Sequence, residues 1–260
     1  MSDQEALGWI VPDWPAPPWV AAGSTTRRGG VSEVPYESLN LGDHVGDDPA
    51  CVEENRKRLC DGRQLPARPH WLRQVHGRTA VDATTAPPGV EADACYTYHP
   101  DTVCAVLTAD CLPVLLCSEG GEGVAAIHAG WRGLAAGIIE QTILKMDCPA
   151  HRLMAWLGPA IGPGAFEVGE EVRQAFSRHD PACAAAFRPS TNGRWLADLY
   201  ALAQRRLHAM GVTRVYGGHW CTYNDPERFY SYRRDGVTGR MATLIWLRRE
   251  RLTRLSRFNA

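Results

Sequence analysis

The 260-residue chain has no apolar run long enough to cross a bilayer. Its longest hydrophobic stretches are about seven or eight residues, against the roughly 20 that a spanning helix needs. It has no basic stripe and no block of like charge. Lys+Arg total 28 and Asp+Glu 29, a formal net charge of −1, so neither nucleic acid nor a membrane surface is expected as a partner. There is no GxGxxG and no GxxxxGK[ST], which excludes the two commonest phosphate-cradling loops. No C-x-x-C pair is present, so a compact zinc finger or a dithiol redox motif is excluded. No H-x-H pair is present either, although copper oxidase centres group many imidazoles. Repeats and low-complexity linkers are absent. The opening MSDQEALGWIVPDWPAPPWV lacks the basic and apolar regions of a signal peptide, so a cytoplasmic location is expected.

What is present reads as mixed α and β structure. TVCAVLT (102–108), LPVLLC (112–117) and GVAAIHA (123–129) predict short strands rich in β-branched residues, with SEGGEG (118–123) as a hairpin-like loop. GWRGLAAGIIEQTILKM (130–146) predicts a helix, with apolar residues at Leu134, Ile138, Ile139, Ile143 and Leu144. RLMAWLG (152–158), RVYGG (214–218) and MATLIWL (241–247) predict strands, and 170–178 and 195–210 predict helices. Consecutive strands with only some crossovers point to mixed sheets, α/β or α+β, in a single domain. We expect an extended Pro-rich arm over 1–19, one catalytic domain over 20–250 and a tail over 251–260.

Nine cysteines are an odd number, and in a reducing compartment most should be small buried hydrophobes. Cys111 differs by its setting, between a strand and Pro113. His44, His76 and His128 likewise follow short apolar or Gly-containing segments at strand ends, where α/β sites are usually assembled. His76, Cys111 and His128 could form a three-ligand zinc site with one position open. The same residues could form a Cys–His nucleophile pair or belong to the core, and position alone leaves these open. GSTTRRGGVS (23–32) could hold an anion through Arg27 and the Gly29-Gly30 backbone, or be a solvated turn. Arg132 could join an anion site at a helix head or lie on the surface. Tyr232, Arg233, Arg234 and Arg240 crowd a turn that could line a pocket. Asp110 could orient a ligand histidine or simply end its strand. WLGPAIGPGAFEVGEEV (156–172) carries two Gly-Pro steps that stiffen a loop.

Taken in order, TRRGGVS, PYESLNLGDHVGDD, VEENR, QVHG, TADCLPVLL, AIHAGWRG, LGPAIGPGAFEVG and FYSYRRDGVTGRMA resemble the YfiH or laccase-domain family over residues 20 to 247. That family is labelled polyphenol oxidase-like, with members assigned as purine nucleoside phosphorylases. The resemblance implies mixed β-sheets packed as a sandwich with helices outside. It implies Zn²⁺, rather than copper, held by His76, Cys111 and His128, with Arg27 and His44 at the active site. Substrate contacts are then expected from Arg27, Arg132, Tyr232 and Arg233, and acid–base or supporting roles from His44 and Asp110. The implied activity is phosphorolysis of adenosine and inosine, with methylthioadenosine phosphorolysis and adenosine deamination also attributed to the family. Nucleoside and phosphate would be the partners of a monomer or weak homodimer. Phe166 departs from the pattern, standing where a tyrosine is expected. A Cys–His amide hydrolase editing peptidoglycan precursors, a copper polyphenol oxidase and a non-enzymatic binding module are the competing readings.

Overall fold

Strand-period burial builds two packed sheets, seen in a computed structural model that describes residues 7–249. The first sheet has the order β1 (Trp9–Ile10), β2 (Val20–Thr25), β13 (Met241–Leu247), β5 (Val103–Thr108), all antiparallel. The second has β12 (Arg214–Gly217), β8 (Leu153–Leu157), β6 (Leu112–Ser118), β7 (Val124–Ala129), β4 (Ala94–Thr97), β3 (Ala80–Asp82). Its outer pairs, β12 with β8 and β3 with β4, are parallel and the rest are antiparallel. A small third sheet joins β9 (Glu167–Val168), β10 (Phe187–Pro189) and β11 (Trp195–Ala197).

Successive side chains of a strand point to opposite faces, so parity assigns each residue to a layer. Cys104, Val106 and Ile245 of the first sheet meet Leu115, Cys117, Val124, Ala126, Met154 and Trp156 of the second, forming the inter-sheet core. The opposite parity of the first sheet, including Val103, Ala105, Leu107 and Leu244, packs with Leu59 of α1 (Pro49–Arg63). The opposite parity of the second sheet, including Val114, Leu116, Ala125, Ile127 and Ala155, packs against further helices. These are α2 (Trp131–Ala136), α3 (Ile138–Lys145), α4 (Glu170–Ser177) and α5 (Leu199–Ala209). A short α6 (Tyr232–Asp235) precedes β13. The single mixed domain with helices outside two packed sheets agrees with expectation.

The differences have local causes. The helix expected over 130–146 is broken at Gly137, whose φ of 94° ends α2 and starts α3 at a new angle. The helix expected from Trp195 begins only at Leu199. Trp195–Ala197 pair with β9 and β10, and the Asp198 side chain caps the helix by accepting from the Ala201 N–H at 3.0 Å. Helix α1 escaped the periodicity because it buries only Val52, Asn55 and Leu59. Its start is written instead in Asp48-Pro49, a side-chain cap followed by proline at the first position. Of the expected arm, residues 9–10 add a strand to the first sheet, and Asp13 accepts from Trp156 Nε1 at 3.1 Å. Residues 1–6 of that arm and the whole tail over 251–260 lie outside the described residues. No described helix is long and apolar enough to cross a membrane.

Leu115 is fully buried between the sheets. We expect Leu115→Ala to cost about 2–5 kcal/mol, read as a lower urea midpoint with an unchanged slope.

Candidate metal centre

The centre stands at one end of the sandwich, where three chain segments meet. His128 is the penultimate residue of β7 and has the parity of Val124 and Ala126, so its imidazole turns toward the inter-sheet side, with only 3% of the residue exposed. Cys111 lies in the short turn between β5 and β6. His76 comes from the turn before β3 and is exposed. One donor atom from each residue lies within 4.8 Å of the others, and Cys111 Sγ is 3.8 Å from His76 Nε2. The two imidazole rings meet edge to face, with centroids 4.8 Å apart. A tetrahedral zinc ion with ordinary bond lengths would hold sulfur and nitrogen about 3.6 Å apart and two nitrogens about 3.4 Å apart. The sulfur–nitrogen separation to His76 already matches that spacing within a few tenths of an ångström, and the full set lies within about 1.4 Å of it.

Gly130 explains why the space between the ligands is open. A Cβ at this position would stand 2.9 Å from His76 Cδ2 and 3.0 Å from Cys111 Sγ. Gly133, one turn later, allows α2 to pack on the His76 turn, because a Cβ there would meet the Gly77 carbonyl oxygen at 2.7 Å. The two glycines of HAGWRG therefore have separate steric reasons.

Asp93 organises the cluster, and sequence reasoning missed it. It sits directly before β4, opposite His128 across the β4–β7 ladder, and is fully buried. Its Oδ1 lies 2.8 Å from His128 Nδ1 and accepts the His76 N–H at 2.9 Å. Its Oδ2 accepts the Gly77 N–H at 2.6 Å and the Val75 N–H at 3.3 Å. With Nδ1 engaged, His128 presents Nε2 to the cluster. Burial alone would raise the Asp93 pKa, but the contacts to His128 and the Gly77 and Val75 N–H groups bring it below the usual carboxylate range. The sequence signal was faint: the second of two acids in EADACYT, ahead of a strand too short to show a period.

Electrostatics distinguish Cys111 from the other thiols. Burial, against a smaller opposing pull from Arg214, pushes Cys117 up to about 12. Burial pushes Cys111 up as well, but the adjacent His128 and a hydrogen bond from His76 outweigh it and bring the thiol down to about 6. Burial lowers His128, yet the Cys111 thiolate and Asp93 carry it to about 9. Without a metal, the cluster is thus a thiolate–imidazolium pair near neutral pH.

The remaining sequence candidates are placed as follows. The Asp110 carboxylate does not orient a ligand histidine. Its Oδ1 accepts from Thr222 Oγ1 at 2.6 Å and its Oδ2 from the Arg233 N–H at 2.7 Å, which ties the Cys111 turn to α6. His44 is exposed, with Nδ1 3.4 Å from Asp43, and among the described residues no hydrogen bond joins it to the cluster. Arg27 lies over the Tyr230 ring and donates Nε to Glu37 O and Nη1 to Pro226 O. The Gly30 N–H is taken by Ser38 Oγ and the Val31 N–H by Asn55 Oδ1 of α1, so these two donors are already used within the fold. Arg132 is exposed over the Trp131 ring. Tyr232 is exposed, and Arg233 lies over buried Phe166 while donating to Glu167 O.

Residues 21–248 match the family described as multi-copper polyphenol oxidoreductase laccase. The chain belongs to this family. Within it, the chain is 55% identical over 240 residues to a Pseudomonas aeruginosa protein named purine nucleoside phosphorylase PA4543, covering 92% of this chain and 98% of that one. It is 56% identical over 239 residues to Escherichia coli purine nucleoside phosphorylase YfiH, with the same coverage. Among solved structures, Neisseria meningitidis protein NMB0706 superposes with a TM-score of 0.90 at 50% identity, covering 93% of this chain and 99% of that one. YlmD from Geobacillus stearothermophilus gives 0.88 at 32% identity, covering 95% and 98%. The family description speaks of several coppers, whereas among the described residues His76, Cys111 and His128 form the one group suited to an ion.

Two outcomes follow from this geometry. Asp93→Asn should weaken metal binding about 10- to 100-fold in a chelator competition, because the support of His128 and the His76 turn is loosened. In metal-free protein, iodoacetamide should alkylate Cys111 through its thiolate, with the rate rising as pH increases through about 6 rather than through the range of an ordinary thiol, about 8.5, and added zinc should block the reaction.

Proposed function

We propose that the protein is a zinc-dependent purine nucleoside phosphorylase. It cleaves adenosine, inosine and methylthioadenosine with phosphate to the free base and the corresponding ribose 1-phosphate, and it also deaminates adenosine hydrolytically. The observation that carries this reading is a three-ligand Cys–His–His centre with an open side, in a chain more than half identical to proteins named for phosphorolysis. A zinc ion held by His76, Cys111 and His128 would supply Lewis acidity and bring a water at its open position to a pKa of about 7. Phosphorolysis forms a bond from a phosphate oxygen to C1′ as the bond from C1′ to the purine nitrogen breaks, and the departing base takes up a proton. The chain's own contribution is to position the reactants. Asp93 fixes the tautomer and direction of His128, and Asp110 fixes the turn that carries Cys111. Exposed Val75 and Tyr232 offer apolar surface for a purine and its sugar.

A second reading has its own support. Cys111 with a lowered pKa, His128 and Asp93 are aligned as a thiol, an imidazole and an orienting carboxylate, which is also the order of a cysteine hydrolase. An amide of a peptidoglycan precursor would be the corresponding substrate.

Elemental analysis and a base-release assay with and without phosphate separate the two. We expect purine release only with phosphate, and ammonia release from adenosine without it. Cys111→Ala should lose the bound zinc and at least about 10³-fold in turnover, since several kcal/mol of charge stabilisation go with the ion. Full zinc occupancy in that variant would overturn the ligand set. Full activity of the metal-free enzyme, abolished by alkylation, would favour the hydrolase.

A further inference from the structure

A cation with two parallel donors that nothing else in the fold has closed suits a phosphate dianion, because it can hold two of its oxygens at once. The arginines around the centre differ in this respect. Arg27 gives Nε and Nη1 to main-chain carbonyls. Arg28 closes its Nε–Nη2 edge on Glu227. Arg234 is engaged by Thr222 O, Tyr223 O, Phe229 O and the Asp235 carboxylate. Arg233 keeps an Nε–Nη2 edge open and Arg132 only stacks on Trp131, but both are exposed to solvent, where salt screens an anion contact.

Arg240 combines an open fork with a fixed, partly buried position. Only Nη1 is engaged, by Thr238 O at 2.9 Å and Gly239 O at 3.0 Å, and among the described residues Nε and Nη2 have no partner. Its main chain is clamped from both sides. The Arg240 N–H donates to Asn40 Oδ1 at 2.8 Å, and the Leu41 N–H donates to Arg240 O at 3.2 Å. Gly42 leaves room for the side chain, since a Cβ there would stand 2.8 Å from Arg240 Cγ. The following residue, Met241, pairs with Thr108, so Arg240 stands beside the turn from Ala109 to Cys111. Burial lowers the Arg240 pKa, while the charges of Cys111 and Asp110 oppose that shift, consistent with a place next to the centre. Asp110 does not close the fork, because Thr222 and the Arg233 N–H hold its two oxygens.

We propose that Arg240 is the phosphate-binding residue of the active site, its Nε–Nη2 edge taking two oxygens of the co-substrate beside Cys111. The assignment rests on the phosphorylase reading for its role in turnover, and on geometry for the anion site itself. It gives the NLG segment a purpose as well: Asn40 and Gly42 hold the arginine.

The test compares zinc-loaded wild type, Arg240→Gln and Arg240→Lys, each checked for zinc content and thermal midpoint. Inorganic phosphate is titrated by ³¹P NMR without nucleoside, and KM values for phosphate and nucleoside are measured separately. Loss of two charge-assisted hydrogen bonds predicts a phosphate KM about 100-fold higher in Arg240→Gln and about 10-fold higher in Arg240→Lys, with the nucleoside KM changed less than about threefold. The ³¹P titration should lose its response in Arg240→Gln. Unchanged phosphate binding and phosphate KM in a folded, zinc-replete Arg240→Gln would overturn the assignment, as would the same loss appearing in Arg233→Gln instead. A wild type that binds phosphate through Arg240 but releases no purine would leave the anion site standing and remove the phosphorylase reading. A wild type that phosphorolyses while Arg240→Gln keeps its phosphate KM would do the reverse.

Discussion

The buried carboxylate of Asp93 is the constraint on which the site depends. Removing a charge from water costs several kcal/mol, and it persists only with good partners. Here the partners are the imidazole of His128 and three consecutive main-chain N–H groups, those of Val75, His76 and Gly77. The Asp93 main chain also takes part, since its carbonyl accepts the His128 N–H at 2.7 Å. One side chain therefore joins the β4–β7 ladder to the turn that delivers the exposed histidine. Satisfying the carboxylate and assembling the ligands are the same event.

Backbone geometry reinforces this coupling. His76 has φ of 59° and Asp110 has φ of 92°, both in the region that residues with a side chain rarely occupy. Each such residue costs about 1–3 kcal/mol unless its surroundings over-determine it. Asp93 does so for His76 through the N–H groups. Thr222 and the Arg233 N–H do so for Asp110, and through it for Cys111. Two ligands of the cluster thus sit on strained turns, each pinned by a carboxylate. The third sits on a strand inside the sheet, which is the rigid reference for both.

The sequence made the strands legible because β6, β7, β8 and β13 are continuous apolar runs, as expected of strands covered on both faces. The convergence of His76, Cys111 and His128 was legible as well, since strand ends mark where side chains meet. What stayed hidden was whatever depends on polar groups acting through the main chain. Asn55 is fully buried on α1 and accepts the Val31 N–H while donating to Asn40 O, so it ties down the loop that clamps Arg240. In the sequence it reads as one more polar residue of VEENRKR. Asp93 and Asn40 are equally inconspicuous. Their importance comes from having no solvent to bond to, which is a property of the fold and not of the string.

The choice between ligand and nucleophile at Cys111 also turns on strain. Cys111, His128 and Asp93 alone would serve an attacking sulfur, with the thiol already lowered to about 6. Such a device has no use for a second imidazole 3.8 Å from the sulfur. Yet His76 is held there in an unfavourable backbone conformation, its N–H donating to a buried carboxylate, beside a glycine whose missing side chain keeps the space clear. A metal ion makes sense of all three features, because it needs a third donor at a fixed distance and room between the donors. It would also replace the proton on His128, since an imidazole must be neutral to bind. The raised pKa of His128 then sets a competition between proton and metal. With His76 included, the Cys–His–Asp alignment is also the donor set that a metal would find once His128 has lost its proton.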